Sequence, residues 1–215
     1  MSHGQDYNFL RAQLAQATDE VGAVGRKTVG DGVRFNAWKV SLEGSMTNDE
    51  VQTLLDGSET ALIGVYPVLR VRVLTLITNL TNEELPFAAF MGIRTFTQQD
   101  VLWAQGRTTP GKIVTNAKGG ESWHQFGLAV DLVEDGDISR TGIQWSWSDN
   151  AAYLKIGTAA RLIGLEWGGW WKAFVDYPHV QLVAGLSLAE ANKIYADAGN
   201  SLEMVWAEVD RRLAA

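Results

Sequence analysis

The chain has 215 residues, of which 46% are hydrophobic and 20% are charged, a composition that excludes collagen-like, low-complexity and wholly disordered proteins. Its 18 basic and 25 acidic residues give a formal net charge of −7, so no global positive field attracts nucleic acid or anionic lipid. Because the sequence has no cysteine, disulfides and thiolate ligands are excluded, and any metal must be held by His, Asp or Glu.

The amino-terminal part of the chain differs in pattern from the rest. Apolar residues at 5–22 recur at helical spacing, and the glycine-rich stretch GAVGRKTVGDG follows them. We therefore expect an N-terminal extension of unknown role over residues 1–45 and a folded domain over 46–215. The start lacks the basic and apolar regions of a secretory signal, and Arg70 and Arg72 interrupt the most apolar stretch. These features predict a soluble protein made in the cytoplasm, with no stable membrane insertion.

Four elements are predicted in the first half of the domain. Thr47 and Glu50 match a capping box that begins a short helix, and Pro67 suits the first turn of a longer helix. The apolar segment PFAAFMGI at 86–93 predicts a buried strand, and the stretch at 97–105 predicts a helix after it.

The second half of the domain begins with a stretch at 106–122 that is rich in Gly, Thr, Lys and Asn and predicts a loop. The elements expected after it are a strand at 126–133, a helix at 149–164, a short strand at 179–183, and Ser-capped helices at 187–198 and 201–213. Strands and helices that are segregated in this way predict an α+β fold.

Two of the three histidines lie in segments that also contain a carboxylate. His124 and Asp131 occur in SWHQFGLAVD, and Asp176 precedes His179 in WGGWWKAFVDYPHVQ. Two neutral imidazoles and one carboxylate leave the fourth position of tetrahedral Zn²⁺ open, as in catalytic sites, and the second carboxylate would be the general base. The alternative is a pair of hydrogen-bonded core histidines with Asp131 as their partner. Spacing alone leaves both interpretations open.

A bend in the chain is needed if His124 and Asp131 are to meet. On one regular strand, two residues separated by an odd number of positions point to opposite faces. Gly127 lies between them and is able to bend the backbone. We therefore expect His124 at the end of a loop and Asp131 on the strand that follows.

Three motifs in the same order resemble the signature of a known zinc peptidase family. SWHQFGLAVD matches the pattern S-x-H-x-x-G-x-A-x-D, DYPH matches D-x-P-H, and GIRTFTQQ upstream resembles the element G-x-R-[ST]-x-x-x-Q. The family contains the D-alanyl-D-alanine carboxypeptidases and the L-alanyl-D-glutamate endopeptidase endolysins of phages. The resemblance covers about residues 60–183. It implies a compact α+β fold, similar to the zinc-binding domain of hedgehog proteins, in which a small antiparallel sheet flanked by helices carries the metal.

The resemblance also implies roles for individual residues. His124, Asp131 and His179 match the three zinc ligands of the family. Asp176 matches the catalytic base, and Arg94 matches the arginine that contacts the substrate carbonyl or carboxylate. Because many carboxypeptidases of the family have glutamate as the base, the aspartate favours the endolysin branch.

Further residues near the motifs are candidates for the substrate cleft. Ser122 could orient the site by a hydrogen bond or be a turn serine, and Gln99 belongs to the upstream element. Trp170 and Trp171 could form a wall of the cleft, or pack in the core. The acidic run at 134–137 could bind calcium as a regulator, or be a solvated turn.

The function implied by the resemblance is that of a phage-type endolysin. Residues 46–215 would form the zinc peptidase catalytic domain with C-terminal helices, hydrolysing the L-alanyl-D-glutamate bond of bacterial peptidoglycan and lysing the wall. The protein would be a monomer that stays in the host cytoplasm until the membrane is permeabilised. A D-alanyl-D-alanine carboxypeptidase or dipeptidase is the alternative enzyme. A non-catalytic cell-wall binding or virion structural module is the alternative of another class.

Overall fold

A computed structural model describes residues 46–136, 145–146 and 150–215. Six α-helices occur within these residues: α1 (Asn48–Glu59), α2 (Pro67–Thr81), α3 (Phe96–Ala104), α4 (Asn150–Leu162), α5 (Leu188–Asp197) and α6 (Leu202–Leu213). None of the helices described is long and apolar enough to cross a membrane. The helix expected at 5–22, and the extension over 1–45 that contains it, lie outside the described residues.

Five short strands form one antiparallel sheet in the described part of the chain. They are β1 (Phe87–Met91), β2 (Ala129–Asp135), β3 (Trp145–Ser146), β4 (Glu166–Trp167) and β5 (His179–Gln181). The strand order is β1-β2-β5-β4, and β3 also pairs with β2. All of these pairings are antiparallel, so the predicted α+β fold with a small antiparallel sheet flanked by helices is confirmed.

Local capping signals mark the starts of the first three helices, two of them as predicted, while α3 begins at Phe96, one residue before the expected start. Thr47 caps α1, with its backbone N–H donating to the Glu50 carboxylate at 2.7 Å and its hydroxyl accepting from the Glu50 N–H. Pro67 occupies the first turn of α2, and Thr95 caps α3 through a second capping box. Each of these signals acts within one helical turn, and so each is effective before any tertiary contact forms.

The two faces of the sheet have different surroundings. Alternate residues of β2 and β5, namely Val130, Leu132 and Val180, belong to an apolar core. Leu69 and Leu76 of α2 and Ile156 of α4 complete this core. The intervening residues of the same strands include Asp131, His179 and Gln181. Because side chains alternate across a strand, these three polar residues share the opposite face, the polar face, although the buried Ala129 and Val133 of β2 also lie on it.

Candidate metal centre

Asp131 lies at the centre of the sheet, in the middle of β2. It pairs with Met91 of β1 on one side and with His179 of β5 on the other. Directly opposed residues of neighbouring antiparallel strands project to the same face. The register of the strands therefore brings Asp131 and His179 together, although they are far apart in the sequence.

His124 reaches the same place from a turn that precedes β2. The 3₁₀ turn Trp123–Phe126 ends at Gly127, whose φ of 64° is left-handed. A Cβ at Gly127 would lie 2.8 Å from the carbonyl oxygen of Gly64, so both the backbone conformation and the close approach require glycine. The bend predicted at Gly127 is confirmed, and it places His124 beside the strand that carries Asp131.

Three donor atoms converge where the turn meets the two strands. His124 Nε2 and His179 Nδ1 each lie 3.3 Å from Asp131 Oδ1, and the three donor atoms lie within 4.8 Å of one another. Both imidazoles are buried. Nitrogen and oxygen ligands at the bond lengths usual for tetrahedral zinc are separated from each other by about 3.3 Å.

Hydrogen bonds at the far side of each ring determine which nitrogens face the cluster. His124 Nδ1 lies 2.6 Å from the carbonyl oxygen of Gly92, and His179 Nε2 lies 3.0 Å from Gln181 Oε1. Both oxygens accept only, so the rings donate to them and, when neutral, direct their remaining lone pairs at Asp131. Asp131 Oδ1 has no hydrogen-bond partner among the described residues. Converging lone pairs repel one another unless a cation lies between them, and this donor set therefore fits a divalent metal such as zinc.

Burial and mutual charge shift the pKa values within the cluster. Burial lowers the pKa of His124 to about 4, which keeps this imidazole neutral and able to act as a ligand. Burial would raise the pKa of Asp131, but the charge of the protonated His124 and His179 rings, and the hydrogen bonds that protonated rings would donate, hold it well below its usual value. Burial would lower the pKa of His179, but the hydrogen bond that its protonated form would donate to Asp131 and the charge of Asp131 raise it.

Asp176 lies in the turn that leads into β5, and it lines the same cleft as the cluster. Burial, with the charge of Asp131 as the second cause, raises the pKa of Asp176 to about 6. Its turn is held against Gly168, whose carbonyl oxygen accepts from the Asp176 N–H at 3.1 Å. A Cβ at Gly168 would lie 2.6 Å from the Asp176 carbonyl oxygen and 3.1 Å from the His179 Cβ, so only glycine allows this approach.

Arg94 is buried beside the cluster. Its Nη2 donates to Asp131 Oδ2 at 3.3 Å, and its Nη1 donates to Gln99 Oε1 at 2.7 Å. Gln99 is fully buried and donates to the Ala117 carbonyl oxygen at 2.8 Å and to the Thr115 hydroxyl at 3.3 Å. Gln99 is not among the residues that line the described cleft. This placement differs from the expectation that Gln99 belongs to the cleft surface, because its amide is already bonded to Arg94 and to the loop behind it.

The cluster opens into a cleft of about 620 Å³. Ser122 and Trp171 line it, and the Trp171 ring lies 4.9 Å from the His179 ring between centroids. Trp170 does not line the described cleft: its side chain is largely exposed and packs edge-to-face on Trp167. Trp167 is buried and donates its indole N–H to the backbone. Of the three neighbouring tryptophans, Trp171 therefore lines the cleft, Trp170 lies at the surface and Trp167 lies in the core.

The acidic run after Asp131 does not form a separate cluster in the described part of the chain. Glu134 and Asp135 lie within β2, where alternation sends their side chains to opposite faces of the sheet. Asp137 lies outside the described residues. Among the described residues, the His124, Asp131 and His179 cluster is the one group with the geometry to hold a metal ion.

Sequence reasoning missed the groups that orient the two imidazoles. The partner of His179 is Gln181, two residues further along the same strand, and period-two alternation could have identified it. The partner of His124 is the backbone carbonyl of Gly92. A backbone carbonyl carries no residue-type signal, and the contact depends on how β1 lies beside the turn.

Comparisons with known proteins agree with this site. Residues 115–182 match a protein-family model described as D-alanyl-D-alanine carboxypeptidase. The peptidoglycan L-alanyl-D-glutamate endopeptidase CwlK of Bacillus subtilis is 38% identical over 126 residues, a match that covers 55% of this chain and 74% of CwlK.

Two solved structures are also similar to this chain. The L-Ala D-Glu endopeptidase ChiX of Serratia marcescens has a TM-score of 0.43 and 28% identity, covering 58% of this chain and 84% of ChiX. The LD-carboxypeptidase LdcB has a TM-score of 0.42 and 19% identity, covering 66% of this chain and 68% of LdcB.

The class of the protein follows from the CwlK match and from the site: it is a metallopeptidase, whose sheet carries the donor cluster on its polar face. The chain belongs to the zinc peptidase family that contains the D-alanyl-D-alanine carboxypeptidases and the L-alanyl-D-glutamate endopeptidases.

Proposed function

We propose that this protein is a zinc-dependent endopeptidase that hydrolyses the amide bond between L-alanine and D-glutamate in peptidoglycan stem peptides. The observation that carries the proposal is the convergence of three buried donor atoms at a cleft that also contains a second carboxylate, Asp176. The choice of bond is supported by the 38% identity to a relative that is named for this activity.

His124, Asp131 and His179 would hold the zinc ion. Their neutral imidazoles and single carboxylate are the donor types that leave a coordination position for water or substrate. A zinc ion bound there supplies Lewis acidity, which polarises the scissile carbonyl and makes water a better nucleophile near neutral pH. Trp171 packs against the His179 ring, and so restricts the movement of this ligand.

Asp176 would act as general base and then as general acid. Its carboxylate lines the cleft and removes a proton from the attacking water, and then returns the proton to the departing amine of D-glutamate. A carboxyl group with a pKa of about 6 can both accept and release a proton near neutral pH. The close approach of the turn to Gly168 holds this side chain beside β5.

Arg94 would stabilise the negative charge that develops on the carbonyl oxygen of the substrate. It lines the cleft, and Gln99 holds its guanidinium from behind at 2.7 Å. Among the described residues that line the cleft, Arg94 is the only lysine or arginine. A carboxypeptidase needs a cation to anchor the free terminal carboxylate of its substrate. Because Arg94 already contacts Asp131, the described lining of the cleft offers no other Lys or Arg for a terminal carboxylate, which supports an endopeptidase.

We also propose the more specific role of a phage-type endolysin, which acts as a monomer and lyses the cell wall after waiting in the host cytoplasm. Support comes from the aspartate at position 176, which resembles the endolysin branch of the family, and from the glycine- and tryptophan-rich segment before it. The substrate of such an enzyme is an internal bond in a cross-linked wall.

Mass spectrometry of muropeptides tests the proposal most directly. Intact sacculi incubated with the zinc-loaded protein should lose turbidity and gain new N-terminal D-glutamate and new C-terminal L-alanine. The Asp176→Asn variant is the matched control, and it should release neither product. Release of free D-alanine without a fall in turbidity would identify a carboxypeptidase instead. Binding to sacculi without any hydrolysis would identify a wall-binding or structural module.

A further inference from the structure

A line of side chains runs across the polar face of the sheet from the surface to the candidate metal centre. Glu166 of β4 is paired directly with Gln181 of β5, and Gln181 Nε2 donates to Glu166 Oε2 at 2.8 Å. Gln181 and His179 are two positions apart on β5 and therefore lie on the same face. Gln181 Oε1 lies 3.0 Å from His179 Nε2. Glu166 is exposed, whereas Gln181 and His179 are buried.

Hydrogen-bond chemistry allows only one arrangement of this line. An ionised carboxylate can only accept, so Glu166 requires the NH₂ group of Gln181 to face it. The amide oxygen of Gln181 must then face His179, and it accepts a proton from Nε2. A neutral imidazole with its proton on Nε2 has its lone pair on Nδ1. That lone pair is directed at Asp131 Oδ1, 3.3 Å away, where the donor atoms converge.

We propose that Glu166 and Gln181 are positioning residues that keep the proton of His179 on Nε2, and thereby make Nδ1 available as a metal ligand. The exposed carboxylate sets the orientation of the buried amide, and the amide sets the tautomer of the imidazole. The inference rests on the metal-binding part of the proposed function, and it concerns residues that do not touch the metal or the substrate.

Charge reversal at the surface end of the line gives the sharpest test. In Glu166→Lys the ammonium group can only donate, so the amide oxygen of Gln181 turns towards it and the NH₂ group turns towards His179. The ring then accepts at Nε2 and carries its proton on Nδ1, where a metal should bind. We expect zinc affinity, measured by competition with a chelator, to fall about tenfold or more, the scale found for the loss of such ligand-orienting partners.

Three further variants separate orientation from charge. Glu166→Gln removes the charge but keeps an oxygen that can accept from Gln181, so its zinc affinity should fall much less than that of Glu166→Lys. Glu83→Lys makes the same charge reversal at an exposed position after α2, and should leave the affinity unchanged. The double variant Glu166→Lys with Gln181→Glu restores an acceptor for His179 Nε2–H and a partner for the new lysine, so it should recover most of the lost affinity.

The tautomer of His179 can be read without any metal. Long-range ¹H–¹⁵N spectra of the metal-free protein, recorded at a pH high enough for the His179 ring to be neutral, should show the ring proton on Nε2 in the unsubstituted protein and in the double variant, and on Nδ1 in Glu166→Lys. Failure of the unsubstituted protein to bind zinc would contradict the proposed function, while these spectra would still decide the positioning role. Equal losses of zinc affinity in Glu166→Gln and Glu166→Lys, or an Nε2 proton that survives in Glu166→Lys, would overturn the inference.

Discussion

Asp131 and Leu132 are neighbours on the central strand, but they lie on opposite faces of one sheet and in opposite environments. Leu132 is fully buried in the apolar core that α2 and α4 complete. Asp131 faces two imidazoles and a guanidinium, and one of its oxygens has no hydrogen-bond partner in the described part of the chain. The apolar face favours folding through burial, whereas the polar face holds desolvated groups that oppose it.

This difference indicates that one face of the sheet stabilises the fold while the other face holds the candidate metal ligands. Apolar contacts behind the sheet keep β2 and β5 in register, and the register holds Asp131 opposite His179. Converging lone pairs on the other face raise the free energy of the folded chain, and a bound cation would remove this penalty. Substitutions on the two faces should therefore have separable effects.

The largest effect is expected from removing an imidazole on the polar face. His179→Ala leaves one imidazole and one carboxylate, too few donors for a tight zinc site, so the purified variant should contain no stoichiometric zinc and have no activity. Elemental analysis and a turbidity assay measure the two properties. Zinc at one equivalent in both His179→Ala and His124→Ala would disprove the site.

On the apolar face, Leu132→Ala should lower the free energy of unfolding by about 2–5 kcal/mol, because it leaves a cavity in a closely packed core. Denaturant titration of the zinc-loaded variant and the unsubstituted protein gives this value. Zinc content should remain at one equivalent, since the side chain lies on the other face from Asp131. Loss of zinc from the folded variant would show that the two faces are not separable.

Asp176→Asn should separate the base from the ligands. We expect turnover to fall by about 10²-fold or more, the usual loss for a general base, with zinc content unchanged. The exposed Asp56→Asn is the matched control, and should keep full activity. If Asp176→Asn empties the site and Asp131→Asn leaves it filled, the roles of the two carboxylates are reversed.

The smallest of these effects is expected for Arg94→Lys. Lysine keeps the charge but lacks the planar guanidinium, whose two terminal nitrogens donate to Gln99 and Asp131. Turnover should therefore fall by about tenfold at unchanged zinc content. Steady-state kinetics on a soluble muropeptide measure the change. Arg161→Lys, an exposed position on α4, is the control. If the kinetic constants of Arg94→Lys equal those of Arg161→Lys, Arg94 has no role in the reaction.

The sequence by itself determined the elements that depend on local interactions. The capping residues Thr47, Ser187 and Ser201 and the proline at 67 start their helices as predicted, because each signal acts within a single turn. The bend at Gly127 was predictable for the same reason, since the left-handed conformation is a property of one residue. The strand expected at 126–133 begins at Ala129, because the turn that carries His124 includes Phe126.

The motifs also identified His124, Asp131 and His179 as a group, and the structure brings them within 4.8 Å of one another. Only the tertiary structure decided how they are held. The pairing of Asp131 with His179, the burial of Gln99 behind Arg94 and the line from Glu166 through Gln181 all depend on the register of strands and on loop contacts. These contacts join parts of the chain that are distant in sequence. Whether they form is decided by the packing of the whole core, so the local sequence pattern contains no signal for them.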